Sequence, residues 1–148
     1  MRAVQAEIAV PTTPSRALRA FLDPVDLGAW WSVERTLVEA REDGLYALAW
    51  GVSPQGFQYV TTGVIGRYEP ERQLWIDHYT YFNPTRPILG PMRLRVAVAP
   101  GAEGESRLEV VQDGYGDGPD WDWYYEAVRA AWPVALVALQ SHLIRAPH

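Results

Sequence analysis

The chain has no cysteine and no lysine, and only three phenylalanines among its 148 residues. Without thiols there can be no disulfide, thiolate metal ligand or cysteine nucleophile, which excludes a small disulfide-stapled secreted scaffold. Without lysine no side-chain amine is available to form an imine, which removes Schiff-base mechanisms. A basic face is also missing. The formal net charge is -5, and the arginines stand singly instead of forming the stripe that phosphate neutralisation needs. No nucleic-acid partner is expected. The apolar run from Ala130 to Leu139 is about half the roughly 20 residues of a spanning helix, so it is expected to be a core helix and not a membrane span. The N-terminal MRAVQAEIAVP lacks an apolar stretch of signal-peptide length, and the cytoplasm is the expected compartment.

What is present reads as a globular protein. The hydrophobic share is 48% and the charged share 21%, and a chain of this length is served by one core, so residues 1–148 are expected to form a single domain. Val4, Ala6, Ile8 and Val10 alternate with polar neighbours and stop at Pro11, the pattern of a half-buried strand. Thr13-Pro14 then caps a short helix carrying Leu18, Phe21 and Leu22, and Asp23-Pro24 opens a second that ends at Trp30-Trp31. From about Val33 to Asp113 six strands follow, separated by turn chemistry at residues 43–44, 53–56, 70–72, 83–91 and 100–104. Met92, Leu94, Val96 and Val98 share a dry face, while Arg93, Arg95, Arg107 and Glu109 take the wet one.

The last third is helical. Trp121, Tyr125, Val128, Trp132, Leu136, Leu139 and Leu143 recur at spacings of three and four, one apolar stripe with Asp120 as its expected N-cap. Pro133 predicts a kink or break near residues 129–132. The expected architecture is therefore α+β: a seven-stranded antiparallel sheet wrapped around a long C-terminal helix, with two short helices between strands 1 and 2. Where a curved sheet and helix part, a cavity opens.

Three segments carry a resemblance: IAVPTTPSRALRAFLDPVDLGAWW at 8–31, GVIGRYEPERQL at 63–74, and a Trp followed by spaced leucines at 132–143. In order and spacing they resemble the START-like or Bet v 1-like (SRPBCC) superfamily, and within it the group similar to the C-terminal domain of the activator of Hsp90 ATPase. Asp43-Gly44 replaces a glycine pair often found there, and Ala131 stands where the group often has Gly. The resemblance implies a helix-grip fold. It implies little about activity, because the superfamily includes carriers, receptors, cyclases and co-chaperone domains.

Seven Trp and eight Tyr are the distinctive load, and rings with a polar end suit a cavity wall. Trp30, Trp31, Tyr46, Trp50, Tyr59, Trp121, Tyr124, Tyr125 and Trp132 are candidates to line a pocket for a flat or greasy ligand. Gln112 is a polar group on a dry face that must find a partner, either ligand, Tyr or backbone. Arg129 flanks the helix stripe and pairs either with a ligand carboxylate or with Glu126. In LWIDHYTY two registers are open. If Leu74, Ile76 and Thr80 point inward, His78 faces the pocket as a ligand-orienting or acid–base group, with Trp75, Asp77 and Tyr79 outside. An outward set of Trp75, Tyr79 and Tyr81 would make an aromatic stripe for a homodimer. The acidic stretch from Asp113 to Asp122 lacks EF-hand spacing, no catalytic-triad or metal-ligand motif occurs, and no cofactor is expected. The leading expectation is non-enzymatic binding of a small hydrophobic or aromatic molecule. The alternatives are a cofactor-independent cyclase or hydratase using His78 with a Tyr, and a domain that modulates a chaperone ATPase.

Overall fold

The computed structural model describes residues 2–148. Its elements are β1 (Ala3–Val10), α1 (Pro14–Arg19), α2 (Pro24–Trp30), β2 (Arg35–Val38), β3 (Leu45–Trp50), β4 (Tyr59–Glu69), β5 (Gln73–Phe82), β6 (Leu89–Pro100), β7 (Ser106–Asp113) and α3 (Pro119–Arg145). All seven strands join one antiparallel sheet in the order β1-β7-β6-β5-β4-β3-β2. Each of the short helices starts where its capping chemistry dictates. Thr13 Oγ1 accepts from the Arg16 amide at 3.3 Å, and the Asp23 carboxylate accepts from the Val25 and Asp26 amides at 2.8 and 3.2 Å.

The concave face of the sheet carries the core. Leu74, Ile76, Met92, Leu94, Val96, Leu108 and Val110 are buried there, while Arg93, Arg107 and Glu109 alternate to the outside. α3 lies along β1 and beside α2, and closes this face with Trp132, Leu136, Leu139 and Leu143. By length and composition α3 could cross a membrane, but here it is the core helix of the sheet.

Three local expectations are corrected. α3 runs unbroken through Pro133, which sits on its exposed side, where water can replace the lost backbone bond. The N-cap of α3 is Gly118, with Pro119 in the first position; Asp120 falls inside the first turn and faces Arg86 at 3.4 Å. The third correction concerns β5. The strand carries one extra residue between Asp77 and Thr80 against β4 and between Ile76 and Tyr79 against β6, and His78, common to both intervals, adopts a positive φ of 54°. A bulge of this kind reverses the side-chain parity beyond it. Leu74 and Ile76 therefore point inward as one register required, but so do Tyr79 and Tyr81, and His78 is exposed on the outer side. Trp75 alone of the proposed stripe stays on the outer face, where Arg67 and Arg95 stack on its ring at 5.1 and 4.6 Å.

Candidate functional site

A cleft of about 470 Å3 opens between the inner face of the sheet and the N-terminal half of α3. Strand alternation places Tyr59 and Thr61 of β4, Tyr79 and Tyr81 of β5, and Gln112 of β7 on its sheet side. The end of α2 contributes Trp31. Across from them α3 presents Tyr124, Val128 and Trp132, together with Ala127, Ala131 and Ala135 at intervals of four. Those alanines are why there is space: one helical face stays small while its neighbour fills the core.

The wall is a chain of aromatic rings. Trp30 stacks on Trp31 at 5.0 Å, Trp31 meets Trp50 at 5.3 Å and Trp132 at 5.2 Å, and Trp50 meets Tyr59 at 5.3 Å. Tyr59 continues to Tyr81 at 6.1 Å, and Tyr81 to Tyr124 at 4.6 Å. These spacings are those of offset and edge contacts, which hold the rings in place without ligand. At the rim Arg86 lies over Trp123 at 3.9 Å.

Polar atoms in this wall are largely spoken for. The Trp132 indole donates to Gln112 Oε1 at 3.0 Å, Gln112 Nε2 donates to the Tyr124 hydroxyl at 3.1 Å, and the Trp50 indole donates to the Trp31 carbonyl at 2.8 Å. Thr61 Oγ1 differs: it is buried with no hydrogen-bond partner. Burial pushes the Tyr79 phenol up to about 12, a rise only partly offset by the adjacent Thr61 hydroxyl. Burial likewise raises Tyr124, and burial followed by the Tyr81 phenol raises Tyr59. These phenols are neutral hydrogen-bonding groups at any physiological pH.

Of the residues singled out in the sequence, Trp31, Trp50, Tyr59, Gln112 and Trp132 meet at the cleft, and Tyr124 with them. The others do not line it. Trp30 stands behind Trp31 and donates to the Ala20 carbonyl at 2.8 Å; Tyr46 is fully buried and donates to the Phe21 carbonyl at 2.8 Å. Trp121 and Tyr125 turn to Tyr115, at 6.2 and 5.2 Å, on the other flank of α3. Arg129 is exposed and pairs with Glu126 at 2.8 Å. His78 lies outside the cleft altogether. Thr61, Tyr79, Tyr81 and Trp123 are additions. Thr61 was legible from its place two residues after Tyr59 on one strand; Tyr79 and Tyr81 were hidden by the bulge.

A second buried polar cluster lies near the other end of α3. Arg16 grips Asp26 through two hydrogen bonds of 2.9 and 2.7 Å, His142 Nε2 lies 2.7 Å from Asp26 Oδ1, and Arg16 Nε donates to the Ala146 carbonyl at 3.2 Å. It joins three helices and lines no part of the cleft. Among the described residues no group of three or more His, Asp or Glu is placed to hold a metal ion.

An antiparallel sheet gripping one long C-terminal helix, with an aromatic cleft beneath it, defines the START-like or Bet v 1-like class of helix-grip proteins. The chain belongs to the family described as activator of Hsp90 ATPase homolog 1-like protein, whose profile matches residues 11–143. Solved structures repeat the fold. Protein MLL2253 from Mesorhizobium loti is 19% identical with a TM-score of 0.72, over 97% of this chain and 98% of that one. The AHSA1 protein from Silicibacter pomeroyi is 18% identical with a TM-score of 0.72, over 98% and 99%. An Aha1 dimer from Colwellia psychrerythraea, solved in solution, is 11% identical with a TM-score of 0.69, over 97% and 96%. At such identities the likeness speaks for the fold alone. No curated protein matched.

Proposed function

We propose that this chain binds a small hydrophobic or aromatic molecule, without transforming it, in the cleft between the sheet and α3. The observation behind this reading is the lining itself. Eight of the side chains around a 470 Å3 space are aromatic, and α3 turns its alanines toward that space where larger residues would fill it. Affinity then comes from burying ring surface, at about 25 cal/mol per Å2 of apolar area removed from water. The volume falls within the few hundred Å3 typical of small-molecule sites.

The cyclase or hydratase alternative used His78 as its acid–base group. With His78 outside the cleft, it has no such residue behind it. The chaperone-ATPase alternative draws support from the family's description and puts the working surface elsewhere on the molecule. Self-association draws support from the Colwellia Aha1 dimer, although Trp75 alone of the aromatic stripe lies on the outer face. Light scattering across a concentration series tests that separately.

The direct test is a titration with naphthalene, a flat ring system without polar atoms, followed through the tryptophan indole N–H resonances. Binding in the cleft shifts the signals of Trp31, Trp50 and Trp132 and spares those of Trp75 and Trp121. No shift, together with bare protein in native mass spectrometry of material purified from its own host, would overturn the reading.

A further inference from the structure

We propose that the ligand is an uncharged aromatic molecule that presents one hydroxyl or carbonyl oxygen to Thr61 and Tyr79, and that these two hydroxyls select it over its unsubstituted and anionic analogues. This rests on the cleft being a binding site. It adds the chemistry that the site demands.

Thr61 is 5% exposed and Tyr79 2%, and both line the cleft. They come from adjacent strands, β4 and β5, and the His78 bulge is what brings Tyr79 to this face. Thr61 Oγ1 is buried with no hydrogen-bond partner. Native proteins leave few buried polar atoms in this condition, because an unmade bond forfeits the desolvation cost of the group. Gln112 is engaged on both sides, its carbonyl by Trp132 and its amide by Tyr124, and holds the wall. Thr61 Oγ1 thus gives the cleft wall an unpartnered buried polar point beside the Tyr79 hydroxyl. A neutral oxygen completes it: Tyr79 stays protonated and donates, and Thr61 donates or accepts as the ligand requires.

Charge decides the rest. No charged side chain lines the cleft among the described residues, and Arg86 at the rim is already engaged with Asp120. A carboxylate drawn into this wall loses its hydration and finds no cation.

The test compares naphthalene, 2-naphthol and 2-naphthoate at pH 7.5 by calorimetry, on wild type and on Thr61→Val, Tyr79→Phe and the double variant. In wild type, 2-naphthol binds about tenfold tighter than naphthalene, as one to two net hydrogen bonds allow, and 2-naphthoate binds more weakly than 2-naphthol. The double variant loses the preference and binds 2-naphthol no tighter than naphthalene, and its thermal melt shows that it is folded. Thr61→Ser, which retains a hydroxyl, keeps most of the preference. Equal binding of naphthalene and 2-naphthol by wild type, or a preference that survives in the double variant, overturns this inference and leaves the binding function standing. Tighter binding of 2-naphthoate also overturns it. Failure of all three probes overturns this inference, and together with bare protein in native mass spectrometry it overturns the binding reading as well.

Discussion

His142 Nε2 lies 2.7 Å from Asp26 Oδ1, a contact between residues 116 positions apart that ties the last turns of α3 to α2. Both residues are buried, and Arg16 of α1 completes the cluster. Burial pushes the Asp26 carboxyl up, but hydrogen bonds from Arg16 and then His142, with their charges, outweigh it and hold the group below the usual carboxylate range. A depressed folded value means that the unfolded chain takes up this proton first as pH falls. The contribution to stability is therefore complete above about pH 4, the ordinary aspartate value, and disappears as pH falls through the lower folded one. Asp26→Asn leaves the Arg16 charge buried without its partner and is expected to cost about 3–5 kcal/mol near neutral pH. Urea melts between pH 2.5 and 7 check both points: the variant should lack this part of the acid dependence. A variant within 1 kcal/mol of wild type at pH 7 would contradict the account.

Gln112 holds the cleft wall from the sheet side. Its carbonyl accepts from Trp132 and its amide donates to Tyr124, so Gln112→Leu leaves two buried polar groups without that partner. Each such loss costs about 1–3 kcal/mol. A drop of about 2–6 kcal/mol in unfolding free energy is expected from chemical denaturation. A neutral effect would mean that Trp132 and Tyr124 find other partners on relaxation.

The strand pattern, the paired turns and the two capped helices were legible because each is written locally: Thr13 and Asp23 cap within three residues of themselves, and Met92 to Val98 alternates without interruption. The cleft was half legible. Trp31, Trp50, Tyr59 and Trp132 fall where strand parity and helix spacing put them. Trp121 and Tyr125 do not, because the aromatic run from Trp121 to Tyr125 also offers Tyr124, which with Val128 and Trp132 makes an equally regular stripe. Tyr79 and Tyr81 were lost to one inserted residue. Nothing in His78 advertises a positive φ, since a bulge there depends on how β4 and β6 receive β5. The Arg16–Asp26–His142 cluster was invisible for the same reason: its partners meet only through the tertiary fold.

The bulge makes its own prediction. A non-glycine residue at φ 54° carries backbone strain that glycine lacks. His78 is exposed and its ring faces away from the cleft, so His78→Gly is expected to leave binding of naphthalene unchanged and to raise stability by up to about 1 kcal/mol. Thermal melts and the naphthalene titration measure the two. Loss of binding in this variant would show that His78 contributes to the site after all, contrary to its position.

The spacing of Ala127, Ala131 and Ala135 predicts how the cleft can be closed without disturbing the fold. Ala131 lines the cleft from an exposed position at its mouth, so a larger side chain there projects into empty space and not into packed core. Leu is as compatible with a helix as Ala to within a few tenths of a kcal/mol, and it gains apolar burial against the rings opposite. Ala131→Leu is therefore expected to preserve or slightly raise the melting temperature while weakening naphthalene binding at least tenfold. Ala130 is the control. It is exposed on the same helix one residue away and lies outside the cleft lining, so Ala130→Leu should bind naphthalene as wild type does. If both variants bind equally well, the ligand enters elsewhere, and the alanine face of α3 is not the wall of the site.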